Sequence, residues 1–460
     1  MSTGEKNAAR PKIDHVERLI REQFAVSGGA LCIDGHNVQT LAKHYGTPLF
    51  IYSSSAIETQ VSKLRSSLPR GFELYYSIKA NPNSSILKLL LKSNCGLEIA
   101  STGELHQALS SGCAPNRILY AGPCKTDSDL GAAVSAHIGE IHLESVAEAN
   151  RLNDVARAAE KEICVALRIN PSDASGGAMR MGGQASPFGI PEEDLESAIH
   201  AIQKLSHLRI TGVHLFMGTQ ILDVSTLRIQ YGKAVELATK VAEAIKTELL
   251  NIDFGGGLGS PYFAHEQPLD ITEYQQVLNE CRDAMDQHSL LRQATGIIEP
   301  GRFLVSEAGI YVTQIQEVKH SRGKDFVICD GGMHHHLAAS GNLGQTIKRN
   351  YPLAILNKLT SEDYKPYQVV GPLCTPLDTF GRNSKLPEVN PGDLLGVFQS
   401  GAYARTASPH GFLSHPSPPE ILTFKNQVEH IRRRGVPADL YADQCCVSTS
   451  TAELRAAWSK

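Results

Sequence analysis

Between residues 74 and 301 one pattern recurs eight times, a short apolar run followed in most cases by an amphipathic helical segment. The runs are LYYSIKA, GLEIAS, RILYAG, EIHLES, CVALRIN, TGVHLFMG, LNIDFGG and GIIEPGR, and each reads as a buried strand. Segments such as VAEANRLNDVARAAEKE and TLRIQYGKAVELATKVAEAIKTE carry the helical spacing between them. Eight strand–helix units of this length predict a (β/α)8 barrel, which typically takes about 250 residues. A doubly wound sheet is the alternative, because periodicity alone does not close a sheet.

After Arg302 the alternation fails. VTQIQEVKH, DFVICDGGM, YQVVGPLC and DLLGVFQ read as strands separated by Gly, Pro and Asn with few helices between them. The expected fold class is therefore α/β, a barrel over residues 54–308 with a β-rich domain over 309–460. Residues 1–53, which open with a polar tail and the helical pattern HVERLIREQF, are expected to add strands to that second domain. A net charge of -4 offers no basic field for nucleic acid or anionic lipid, and no apolar run reaches the roughly 18 residues a membrane span needs. The polar start MSTGEKNAARPK lacks the apolar core of a secretory signal, which points to the cytoplasm. Ten cysteines without CxxC spacing argue against a zinc site and against a disulfide scaffold, so no metal is expected.

Barrel active sites lie where the strands end. In ELYYSIKANPN, residues 73–83, Lys79 stands at the end of the first strand, stopped by Ala80-Asn81-Pro82-Asn83. Desolvation there lowers a lysine toward the neutral amine that bonds a carbonyl compound; the alternative is a side chain that snorkels to solvent. His214 and Phe216 lie on strand six, on one face by alternation. Gly255, Gly256 and Gly257 end strand seven, and Glu299, Gly301 and Arg302 end strand eight. A glycine run lets backbone N–H groups approach an anion, and Arg302 adds a charged fork. A lysine and an anion site on one rim suggest a phosphorylated aldehyde cofactor.

YSIKAN resembles the cofactor-lysine motif of the fold-type III pyridoxal-phosphate decarboxylases, the group of diaminopimelate, ornithine and arginine decarboxylases. The likeness continues in the family's order through ASTGEL, HLFMGTQ, DFGGGLG, EPGRFLV, DGGM, GPLCTPLD and GAYARTAS. It implies pyridoxal 5'-phosphate held covalently by Lys79, with Gly255, Gly256, Gly257, Gly301, Arg302 and Tyr403 around its phosphate. It implies Glu299 on the pyridine nitrogen, His214 or Phe216 stacked on the ring, and Cys374 as an acid entering from the partner subunit of a homodimer with shared sites. A carboxylate at the ring nitrogen keeps the ring protonated and makes it an electron sink. Racemases of the related barrel place an arginine where Glu299 falls.

Two departures bear on the substrate. Thr375 stands where ornithine and diaminopimelate enzymes carry an acidic reader of a distal ammonium, and Ala338 where diaminopimelate enzymes carry an arginine for a distal carboxylate. Thr375, Asp378 and His336 are the expected substrate-binding residues. His334-His335-His336 are expected to line a widened pocket rather than a metal site, since three consecutive strand side chains cannot face one ion. Arg180 and Arg405 are candidates to restore a charged contact. GPLCTPLD and GAYARTASPHGFLSHPSPPE resemble a biosynthetic-cluster subgroup acting on conjugated or carrier-protein-linked amino acids, in pathways of the siderophore or antibiotic type. The implied function is decarboxylation at the α-carboxylate of such an amino acid. The alternatives are a diaminopimelate decarboxylase of lysine biosynthesis, an amino-acid racemase, and a non-catalytic homologue that binds a protein partner.

Overall fold

A computed structural model describes residues 15–172, 179–180, 185–345 and 347–444. The eight apolar runs form eight strands, Phe72–Ser77, Gly96–Ile99, Ile118–Tyr120, Glu140–Leu143, Ile163–Asn170, Leu208–His214, Asn251–Asp253 and Thr295–Ile298. Each lies parallel to the next, and the eighth returns to the first with Ile297 beside Glu73, so the sheet closes. That closure excludes the doubly wound alternative. It follows from burial on both faces: Leu97, Ile118, Leu143, Val165, Val213, Ile252 and Ile298 are all fully buried, as a parallel sheet wrapped in helices requires.

Most strands hand over to a helix through a side chain that caps it. Asn83 accepts from the N–H of Ser85, Ser101 from Glu104, Ser145 from Glu148, and Asp270 from Thr272 and Glu273. Thr126 and Asp129 cap each other's backbone reciprocally. Helix N-termini therefore gather on the rim where the strands end, and the side chains at those strand ends are held by capped, short connections.

Past the barrel, the long strand Gly309–Ser321 runs out into a second sheet. Its order is Thr379–Pro387, Tyr364–Val370, Lys324–Cys329, Gly309–Ser321, Leu49–Ser53, Glu420–Phe424, Gln427–Arg432. The N-terminal strand Leu49–Ser53 sits inside it, antiparallel to Gly309–Ser321 and parallel to Glu420–Phe424. Leu31, Ile33, Leu49, Ile51, Ile310, Val312, Phe398 and Ile421 share one buried core, so the N-terminal segment is stitched into the β-rich part by packing as well as by pairing. Two expected strands stop early. Lys324–Cys329 ends before DGGM because Asp330 turns back to accept from Thr313 Oγ1 and the N–H of Gln314, and Tyr364–Val370 ends before GPLC.

Candidate active site

Lys79 rides on a single 3-10 turn, Ile78–Ala80, directly after the first strand. Its Nζ donates to both carboxylate oxygens of Glu98 at 3.3 Å, and Glu98, from the second strand, is itself fixed by Ser77 Oγ. The lysine side chain is 45% accessible, but what it faces is a cavity bounded by Phe216, Gly257, Glu299, Arg302 and Tyr403. Burial pulls the lysine down; Glu98, then Tyr403 and Glu299, outweigh it and hold the ammonium above the usual lysine range. Desolvation thus acts in the expected direction and is outweighed by the neighbouring charges.

The other rim residues arrive as expected from strands six to eight and from the β-rich sheet. Gly255 and Gly257 have φ of +69° and +83°, which only glycine adopts without strain, and a Cβ on Gly256 would stand 2.1 Å from the carbonyl oxygen of Glu299. Arg302 Nη1 donates to Tyr262 Oη at 2.8 Å, and its guanidinium lies 4.7 Å from the Tyr403 ring centroid. The Tyr403 N–H donates to the carbonyl of Ala80 at 2.9 Å, which pins the GAYARTAS loop to the Lys79 turn. Glu299 is 5% exposed, with Oε2 lying 3.5 Å from His214 Nε2 and Oε1 unpartnered.

His214 and Phe216 do not share a role. The strand ends at His214, so the alternation expected to carry both onto one face stops there. Phe216 reaches the cavity, its ring centroid 5.8 Å from Lys79 Nζ, whereas His214 lies beneath, its ring 4.5 Å from that of His142.

The expected substrate residues fare differently. Cys374 is exposed and Thr375 half-buried on the GPLC turn, and neither lines the Lys79 cavity of its own chain. Asp378 is corrected to a structural clamp: buried, it accepts from the N–H of Met333 at 2.6 Å and of Leu373 at 2.9 Å, tying the DGGM turn to the GPLC turn. A Cβ on Gly332 or Gly371 would stand 2.4 or 2.3 Å from its carboxylate, which explains both glycines. His336 is corrected to a core residue, fully buried, with Nε2 3.0 Å from Ser400 Oγ and its ring against Phe50 and Tyr351. His334 and His335 are buried too, on a turn rather than a strand, and burial pushes His334 down to about 3. Arg405 faces Glu420 at 4.0 Å, and the side chain of Arg180 falls outside the described residues.

Three buried groups beside the site escaped sequence reasoning: Glu98, His142 and Asp253. Each was an ionisable residue inside a run otherwise apolar enough to be buried on both faces, and that mismatch was the available signal.

A closed barrel whose rim joins a lysine, a carboxylate with one unpartnered oxygen, a glycine-lined backbone and an arginine, beside a β-rich domain, combines an amine with an anion site. Residues 54–306 match the family described as "Pyridoxal-dependent decarboxylase, pyridoxal binding domain", and the chain belongs to that family. It is similar to the L-glutamyl-[BtrI acyl-carrier protein] decarboxylase of Niallia circulans, 37% identical over 417 residues that cover 90% of this chain and 97% of that protein. It is also similar to the diaminopimelate decarboxylase of Aquifex aeolicus (strain VF5), 32% identical over 411 residues, 88% of this chain and 93% of the other. The solved diaminopimelate decarboxylase of M. jannaschii in complex with L-lysine superposes with a TM-score of 0.85 at 26% identity, covering 93% of this chain and 98% of that one.

The protein is thus a pyridoxal-phosphate-dependent amino-acid decarboxylase. Its cavity fits the cofactor in two unpartnered buried atoms: Glu299 Oε1, an acceptor for a ring N–H, and Arg302 Nε, a donor for a phosphate oxygen. No helix among the described residues is long and apolar enough to cross a membrane.

Proposed function

We propose that this enzyme removes the α-carboxylate of an amino acid that is joined to a carrier protein or held in a larger conjugate. The observation that carries the reading is the uncharged pair at the two positions that would grip a free substrate's far end, Thr375 and Ala338. A linked substrate presents no free distal amine or carboxylate there, and likeness to a decarboxylase of a carrier-linked glutamyl group supports the same choice.

Pyridoxal phosphate, when bound, supplies a protonated ring that takes up the electron pair left as carbon dioxide departs. Lys79 Nζ is the amine that holds it, and Glu98 is positioned to accept the proton that this ammonium must release. Glu299 Oε1 would accept the ring N–H, while Arg302, Tyr403, Gly301 and the glycines 255–257 would hold the phosphate. Phe216 covers a ring face with an apolar, non-titrating surface, where the family has histidine. Cys374 Sγ enters from the partner subunit of a homodimer and returns a proton to the α-carbon. The exposure of Cys374 outside its own cavity supports that assignment. Residues 54–308 are taken as the cofactor-binding unit, and 1–53 with 309–460 as the β-rich unit. The enzyme acts in the cytoplasm, in a specialised pathway of the siderophore or antibiotic type.

The test compares kcat/KM for carbon dioxide release from free meso-diaminopimelate, lysine, ornithine and glutamate with that from a carrier-linked glutamyl group and a citryl-linked diamino acid. Loss of one charge-assisted contact costs roughly 1.5–3 kcal/mol, on the order of ten- to a hundredfold against the free amino acids. Preference for free meso-diaminopimelate over every conjugate would return the chain to lysine biosynthesis.

A further inference from the structure

Below the cavity the barrel interior holds an unusual density of ionisable groups. His142, His214, Asp253 and Glu299 come from strands four, six and seven and the end of strand eight, and their ligand atoms all lie within 4.8 Å of one another. Glu140 adjoins them from strand four, and the five side chains are between 0% and 5% exposed. Three carboxyl groups cannot all be anions in such a place without cations beside them, and two nearby cations are already paired, Arg168 with Glu144 and Lys79 with Glu98.

The neighbours decide which carboxyl is neutral. Glu140 Oε2 accepts from Thr211 Oγ1 at 2.8 Å and Asn251 Nδ2 at 3.2 Å, and its Oε1 lies 3.5 Å from His142 Nε2. Glu140 thus has two donors of its own on Oε2. Asp253 Oδ2 lies 3.8 Å from His142 Nε2, too far for a hydrogen bond. Asp253 Oδ1 is occupied by the N–H of Gly255 at 2.8 Å, so Oδ2 remains without a partner, and a carboxylate oxygen of Asp253 lies within 4.8 Å of one of Glu299. Two acceptor oxygens facing each other need a proton between them. Glu299 Oε2 lies 3.5 Å from His214 Nε2, and its Oε1 has no partner.

We propose that Asp253 is a positioning residue that carries the proton of this buried set, so that its Oδ2–H donates to Glu299 and keeps Glu299 the anion that meets the cofactor's ring nitrogen. This rests on the cofactor assignment above. Burial, then the charge of Glu299, push Asp253 well above the ordinary carboxylate range. Burial pushes His214 itself down to about 4, so at neutral pH it serves as an N–H donor and not as a cation. The ring N–H is then the cation that Glu299 meets.

The experiment uses the dimeric holoenzyme with cofactor labelled with nitrogen-15 in the ring, and compares wild type with Asp253→Asn and Asp253→Ala. Asparagine keeps an acceptor for Gly255 and supplies a permanent donor toward Glu299. Asp253→Asn should therefore retain the protonated-ring signal and turn over within about threefold of wild type, whereas Asp253→Ala should lose the signal and roughly ten- to a hundredfold in kcat at similar cofactor occupancy. Difference infrared spectra of the apoprotein should contain a protonated-carboxyl band that Asp253→Asn removes, a readout independent of activity and of the folding of the alanine variant. An asparagine variant as damaged as alanine, a missing carboxyl band, or a stoichiometric metal ion in the purified wild type would each overturn the proposal. A wild type that binds no pyridoxal phosphate would instead overturn the cofactor assignment itself.

Discussion

Glu98→Gln isolates the group that sets the charge on Lys79. The carboxylate stands 3.3 Å from the lysine nitrogen through both oxygens and is 2% exposed, so its attraction acts at close range and is weakly screened. It is the largest of the groups that raise the lysine, opposing burial, which lowers it. Glutamine keeps the shape and one acceptor oxygen and removes the charge. An opposite charge at this distance shifts a lysine by about one to three pH units, and because Lys79 is 45% accessible to the cavity the lower half of that range is expected. With burial then opposed by Tyr403 and Glu299 alone, Lys79 should titrate lower in the variant, and the neutral amine should appear at lower pH. The assay is the pH dependence of the rate at which the apoprotein takes up pyridoxal phosphate, followed by its visible absorbance. The wild-type profile should rise at higher pH than the variant's. Coincident profiles would refute the claim that Glu98 governs the lysine, and a variant profile displaced upward would reverse its sign.

Lys79→Ala should bind cofactor without the visible absorbance that borohydride bleaches in wild type; a retained covalent chromophore would place the bond on another residue. Glu299→Gln should lower turnover far more than cofactor occupancy, since its contribution is at the ring nitrogen and the phosphate contacts are untouched; equal losses would make it a structural residue. Mixed under conditions of demonstrated subunit exchange, inactive Lys79→Ala and Cys374→Ala should regain part of the wild-type activity, because one site of the hybrid dimer is complete; no recovery would mean the sites are not shared. Asp378→Ala should destabilise the folded protein by about 1–3 kcal/mol, read as a lowered Tm, because it leaves the backbone N–H groups of Met333 and Leu373 without their acceptor. An unchanged Tm would show that water replaces the clamp.

Local signals in the sequence were enough for the barrel. Eight runs of continuous apolarity mark strands buried on both faces, capped helices separate them, and Lys79, the glycine run and Glu299 to Arg302 all fall at strand ends, which a barrel must bring to one rim. Family likeness then supplied the cofactor. What periodicity leaves open is any property that depends on contacts between residues distant in the chain. Closure needed Ile297 to meet Glu73, and the charge of Lys79 needed Glu98 from the neighbouring strand. The fates of Asp378 and His336, one a clamp between two turns and the other a core ring under Ser400, depended on residues distant in the chain, Met333 lying 45 positions from Asp378 and Ser400 64 positions from His336. A polar residue after a strand reads alike in sequence whether it faces substrate or backbone; only tertiary packing, which withdraws water from one and not the other, decides which it does.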